Sequence, residues 1–296
     1  MKLVKQPTEK AKKLNEKLDQ SLSNDIGSSH HHKNKIITFR KIILFLLLNL
    51  IYQIELKKNN FNVMIILNAY EISLKINSTG EHDILCSSYK YTGNFIPCPD
   101  KIYININEIN NSSCYKVYVN SSDSIIKFEW YNPLNSMSEL FHWCYTITEI
   151  DLTNFDTSTV TNMMDMFAEC TSLTSINLSN SNTPNVETMH GMFWGCYSLR
   201  SLNLKSFDTS KVTKLFAMLR GCESLISIDL SNFDTSEVVN MGELFHECRN
   251  LQYINLKNFK DTKNPITTDI FKAIAKNVVI CINSTEASKI YDIVKI

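Results

Sequence analysis

The chain has 296 residues, 44% of them apolar and 20% charged, ordinary globular values that exclude wholesale disorder. Its 30 Lys/Arg balance 30 Asp/Glu, so the basic excess usual in a dedicated nucleic-acid binder is missing. Gly (7) and Pro (6) are too few for a collagen-like or Pro-rich chain.

Zero net charge hides an asymmetry. Residues 1–41 carry a net +6 and the remainder a net −6, which separates a basic polar arm, expected to be disordered, from a mildly acidic body. His30, His31 and His32 lie in that arm and read as solvated linker rather than metal ligands. Residues 42–54, IILFLLLNLIYQI, hold no charge and come after Lys33, Lys35, Arg40 and Lys41. Thirteen residues are short of the roughly 20 that span a bilayer. With the basic flank they read as a signal-peptide core or signal anchor. The alternative is a packed segment of a soluble fold. The first reading makes membrane contact a role for residues 42–54.

Residues 68–136 alternate apolar and polar side chains. Tyr70, Ile72, Leu74 and Ile76 form one run, Ile102, Ile104 and Ile106 a second. Tyr115, Val117 and Val119 form a third, and Ile126, Phe128 and Trp130 a fourth. Each has the period of a half-buried strand. Together they predict a β-rich N-terminal module that covers the open edge of the segment beginning at Met137.

Residues 137–266 repeat. Cys144, Cys170, Cys196, Cys222 and Cys248 are spaced 26 apart, and Met137, Met163, Met189, Leu215 and Met241 open the five units. A period in this range signals stacked repeats. Within each unit an L-x-x-I-x-L run, such as Leu173 to Leu178, predicts a short strand with its apolar residues inward. Asp-Thr-Ser then predicts a turn or helix start. Apolar residues at helical spacing, such as Val238, Met241, Leu244, Phe245 and Cys248, predict a short returning helix. One unit cannot bury its apolar face, whereas stacked units can. The expected fold is therefore an α/β repeat solenoid, leucine-rich-repeat-like, with one short parallel strand and one short helix per unit. Residues 267–296 should close it: a strand at Asn277 to Ile282, then a helix from Glu286.

The stretches LSNFDTSEVVNMGELFHEC and LTNFDTSTVTNMMDMFAEC resemble the bacterial surface protein 26-residue repeat, the BspA-type leucine-rich repeat. The resemblance covers about 130 residues. It implies a surface-exposed or secreted protein without catalytic activity, adhesin-like in some members. The asparagine ladder of standard leucine-rich repeats reads as missing, its place taken by Phe155, Ser181, Phe207, Phe233 and Phe259. The second unit departs most, with Ser181-Asn182-Thr183-Pro184 for Phe-Asp-Thr-Ser, and a local packing defect is expected there.

The five repeat cysteines read as a buried structural thiol ladder, since their Cβ vectors run parallel and suit a disulfide poorly. Outside it, Cys86 and Cys98 form a plausible disulfide. His142 and His246 occupy a variable position expected to be exposed, and no metal site or cofactor is expected. Asp156, Asp208 and Asp234 recur in register as turn formers. Sequons occur at Asn77, Asn110, Asn111, Asn120, Asn177 and Asn283, and 32 asparagines make chance sequons common.

No nucleophile–base pair, phosphate loop or H-E-x-x-H occurs, so an enzyme is not expected. The organised surface is the outer strand face: Glu149, Asp151, Ser175, Asn177, Ser201, Asn203, Lys205, Ser227, Asp229, Tyr253, Asn255 and Lys257. The reading is a non-enzymatic cell-surface or secreted protein that binds extracellular protein or glycan ligands, with no nucleic-acid partner. The alternative is an intracellular (cytoplasmic) protein–protein interaction scaffold.

Overall fold

The computed structural model describes residues 70–85, 97–109 and 114–294. The basic arm, the apolar segment 42–54, Cys86 and the sequons at Asn110 and Asn111 lie outside the described residues. Within them run eleven strands and one α-helix.

The N-terminal module is built from β1 (Tyr70–Ile76), β2 (Gly80–Asp83), β3 (Lys101–Ile104), β4 (Asn107–Ile109), β5 (Lys116–Val119) and β6 (Ser124–Trp130). Alternation does the sorting: Ile72, Leu74 and Ile76 of β1 and Ile126, Phe128 and Trp130 of β6 are buried. β1 pairs antiparallel with β6 on one side and with β7 (Ile147–Asp151), the first repeat strand, on the other. The edge of the first unit is thus covered rather than open. β2 and β5 form a separate antiparallel pair.

Beyond β7 the units stack as coils. β7 pairs parallel with β8 (Ser175–Asn177), and β9 (Ser227–Asp229), β10 (Tyr253–Leu256) and β11 (Val279–Ile282) form a parallel sheet. Every one of these parallel pairings offsets the chain by 26 residues, as in Ile150 with Ile176 and Ile254 with Ile228 and Ile280. A second column of parallel bridges joins Ser136, Asn162, Thr188, Lys214, Asn240 and Ile266. The helix α1 (Ser288–Val294) ends the described chain, with Ile290 buried.

The short helix expected in each unit does not form; the return segments are turns. In the second coil, the amides of Met163, Asp165, Phe167 and Glu169 donate to Thr188, His190, Met192 and Trp194 of the next coil. The amides of Met166, Ala168 and Cys170 fold back three residues instead. Alternate amides are therefore committed to the neighbouring coil, and the i→i−4 ladder of a helix cannot close. The third residue of the turns 163–166 and 167–170 is left-handed, as in type II turns: Asp165 (φ 50) and Glu169 (φ 59), with register equivalents in every coil. Stacking offsets the strain of this backbone, because L-residues adopt it at a cost of about 1 kcal/mol each. Two successive four-residue turns still place residues 1, 4, 5 and 8 inward, which is why the apolar spacing mimics a helix.

Side-chain ladders bolt the coils together. Buried Thr157, Thr183, Thr209 and Thr235 donate to the carbonyls of Asn182, Asp208, Asp234 and Lys260. Phe141, Phe167 and Phe193 stack at 5.7 and 5.3 Å, as do Phe245 and Phe271 at 5.6 Å. Contrary to expectation an asparagine ladder is present, one residue before the phenylalanine column. Asn180 donates to Thr153 O, Asn232 to Leu204 O and Phe207 O, and Asn258 to Ser231 O, with Ser206 donating to Leu178 O in the third coil. The phenylalanines Phe155, Phe207, Phe233 and Phe259 point inward beside it.

Ser181 takes the buried phenylalanine position in the second coil, and its hydroxyl has no hydrogen-bond partner. Ser181→Ala should therefore raise stability by about 1 kcal/mol. Equal or lower stability in urea unfolding would show that the hydroxyl is satisfied in solution.

The proposed Cys86–Cys98 disulfide is replaced by Cys98–Cys114, with Cα atoms 5.6 Å apart. The hairpin β3–β4 folds the chain back between these two residues, and Trp130 Nε1 donates to Pro97 O beside Cys98. Sequence proximity favours Cys86; the hairpin decides otherwise.

Candidate binding faces

The strand face carries the twelve residues expected to bind, and the structure divides them. One column is consumed by turns. Asp151 Oδ1 accepts the Thr153 amide at 2.8 Å, Asn177 that of Ser179 at 3.2 Å and Asn203 that of Lys205 at 3.1 Å. Asp229 accepts the Ser231 amide at 3.0 Å, and Asn255 that of Lys257 at 3.2 Å. Each is an Asx turn that ends its strand. Hydrogen bonds from Ser231 hold the Asp229 carboxyl below the usual carboxylate range.

The neighbouring column runs Glu149, Ser175, Ser201, Ser227 and Tyr253, all exposed. Glu149 is taken by Lys75 of β1 at 3.1 Å, and Lys75 also lies 3.4 Å from Asp123. The charge at the acidic end of the face is thereby partly offset. Tyr253 donates its hydroxyl to Cys281 Sγ at 3.5 Å. Between these ends lie three serines, with Lys205 and Lys257 exposed at the rim. The strand ladder breaks at Ser201–Asn203, which forms no strand and separates a six-stranded from a three-stranded sheet. Ser198 Oγ to Thr171 O and Ser206 Oγ to Leu178 O still tie this coil to its predecessor.

The repeat cysteines are buried. Cys170, Cys196, Cys222 and Cys248 donate S–H to Phe141, Phe167, Phe193 and Leu219 carbonyls at 3.0–3.3 Å. Burial pushes the thiols of Cys196 and Cys222 well up, and that of Cys248 to about 12. Such thiols form little thiolate and serve packing rather than chemistry. Asp156, Asp208 and Asp234 cap their turns by accepting the amides of Ser158, Ser210 and Ser236.

His142 and His246, expected to be exposed, are largely covered, with side chains 13% and 11% accessible. They lie on the turn side, where adjacent coils approach closely. There, Glu139 is buried, and Glu139 Oε1, His142 Nδ1 and Asp165 Oδ1 lack hydrogen-bond partners. The Asp165 carboxylate lies over Gly191, where a Cβ would stand 1.9 Å from Oδ1, so a side chain there would displace it. Among the described residues no group of three His, Cys, Asp or Glu is placed to hold a metal ion.

Burial pushes the Asp165 carboxyl up to about 6, against the pull of His142, and burial pushes the His142 imidazole down. The folded state thus prefers a protonated Asp165. This group's contribution to stability grows as pH falls from about 6 toward its ordinary 3.8, while that of His142 declines below 6.5. Asp165→Asn removes the first effect and also the charge that holds the His142 imidazole up, and both changes penalise the variant as pH falls. The variant should gain on the wild type at pH 7.5 and lose that advantage at pH 5. A stability difference that stays constant between these pH values would place Asp165 at an ordinary pKa.

Sequence reasoning reads the column of His142 and Trp194 only as variable and passes over the rest of the turn edge, where Trp143, Tyr145, Glu169 and Tyr197 fall. These positions differ from coil to coil, so no repeat signal marks them. Their signal is aromatic content on a register column, which becomes visible once the turns are known.

Stacked coils joined through parallel strands, ladders and turns define a repeat protein. Residues 115–203, 135–259 and 196–293 match the family described as "Mycoplasma protein of unknown function, DUF285". The matches together cover more than half of the chain, and the chain belongs to this family. No curated protein matches it.

Proposed function

We propose that the chain is a non-enzymatic repeat protein, surface-exposed or secreted, which binds protein or glycan ligands across the strand face of a leucine-rich-repeat-like solenoid. The observation that carries this reading is the exposed serine column Ser175, Ser201 and Ser227, flanked by Lys205, Tyr253 and Lys257. It is a polar strip with its neighbours already locked in Asx turns, and repeat stacks use such extended faces for partners. Membership of a repeat family compatible with surface proteins supports the same reading. So does the Cys98–Cys114 disulfide, since disulfides persist in oxidising compartments. No helix of the described residues is long and apolar enough to cross a membrane.

The test is protease treatment of intact source cells expressing the chain with a C-terminal epitope. Loss of the epitope supports exposure. Full protection, with the protein in the soluble fraction, sinks it and leaves an intracellular scaffold. Ligand screening then uses Ser201→Lys, which should abolish strand-face binding without unfolding the chain.

A further inference from the structure

The turn edge of the first four coils holds an arrangement independent of the strand face. Glu169 occupies a left-handed turn position (φ 59), and its carboxylate lies flat over Gly195. A Cβ on Gly195 would stand 2.6 Å from Oε1 and 2.7 Å from Cδ. Gly195 and Gly221 succeed one another in the same column at φ 71 and 72, so the floor carries no side chains. Among the described residues the Glu169 carboxylate has no hydrogen-bond or ion-pair partner, although burial pushes its pKa up.

Two tyrosine rings lie near it, and a tryptophan shares its column. Trp143 holds the same register position one coil earlier and is 39% exposed. Tyr145 and Tyr197 are 50% and 42% exposed. Tyr197 Cε1 lies 3.3 Å from where a Gly221 Cβ would be. After burial, the Glu169 charge is the largest influence raising both phenols, which sets the carboxylate near both rings. Trp194 precedes Gly195, and its carbonyl accepts the Glu169 amide at 2.6 Å. The nearby cation, Arg220, pulls on Glu169 but is shared: it pairs with Glu243, lies 3.8 Å from Glu247 and sits over the Trp194 ring at 5.6 Å.

A partly desolvated carboxylate whose neighbouring cation, Arg220, is shared with Glu243 and Glu247 disfavours anionic and purely apolar ligands. Electron-rich ring faces beside it attract cations. We propose that this turn-edge site binds an alkylammonium group, with Glu169 as its counter-charge and Trp143, Tyr145 and Tyr197 as its walls. A lysine side chain of a protein partner and a quaternary ammonium such as choline share that chemistry.

The test titrates the full chain with choline, with Nα-acetyl-lysine methyl ester and with 3,3-dimethylbutanol, the neutral isostere of choline. Tryptophan fluorescence reports binding, because Trp143 and Trp194 lie at the site while Trp130 is buried. At least one ammonium probe should saturate and the neutral isostere should not. Stronger binding of choline assigns a methylated ligand, and stronger binding of the lysine ester a protein partner. Glu169→Gln should weaken binding by about tenfold or more. Tyr145→Ala, at an exposed ring, should do the same and serves if the first variant does not fold. Ser201→Lys should leave ammonium binding unchanged, which separates this site from the strand face. No saturation by either ammonium probe, equal binding of the isostere, or undiminished binding in folded Glu169→Gln or Tyr145→Ala would overturn the proposal.

Discussion

Phe193→Ala should destabilise the chain by about 3–5 kcal/mol. Phe193 is fully buried and stacks on Phe167 at 5.3 Å. Its amide and carbonyl both serve the next coil: the amide donates to Met218 O, and the carbonyl accepts the Cys222 thiol at 3.3 Å. Truncation would leave a ring-sized void between coils that cannot close without shortening these bonds. The fourth coil has Leu219 in this column, fully buried, so Phe193→Leu should be much milder. Urea unfolding of the two variants checks this. Equal losses would mean that the ring stack, rather than side-chain volume, carries the effect. A loss below about 1 kcal/mol for the alanine variant would mean that the coils collapse freely around the gap.

Thr235→Val should cost about 2–4 kcal/mol, a large effect for a change that preserves shape. The Thr235 hydroxyl donates to Lys260 O at 2.8 Å and accepts the Lys260 amide at 2.7 Å. Removing it orphans two backbone groups of the next coil at a fully buried position. Thr235→Ser keeps both bonds and should retain most of the stability. Thermal unfolding of the pair tests the assignment. A valine variant as stable as wild type would show that the ladder is incidental to packing.

The repeat period, the inward strand residues and the buried cysteines are all legible in the sequence, because each depends on spacing alone. The turns are not. Residues 1, 4, 5 and 8 of a double turn face inward as they do in a helix, so apolar spacing cannot separate the two. What separates them is the competition of the next coil's carbonyls for alternate amides, a non-local fact. The asparagine ladder is misplaced by one residue for a related reason: Asn180, Asn232 and Asn258 lie at the solvent edge yet are bonded through their side-chain amides. β2 and β4 escape notice because they are short and polar, and their pairing with β5 and β3 defines them. The strand-face candidates are legible as outward-facing residues. Their Asx-turn duties arise from main-chain direction, which alternation does not reveal.

The ladders impose a rule on how such a gene can change length. Threonine, asparagine, cysteine and phenylalanine columns are all in step at offsets of 25–29 residues. Loss or gain of a single residue inside a coil throws every column out of alignment at once. Removal or duplication of 26 residues leaves all of them aligned. Viable length variants should therefore differ by whole coils, with the number of coils free to drift while the length of each stays frozen.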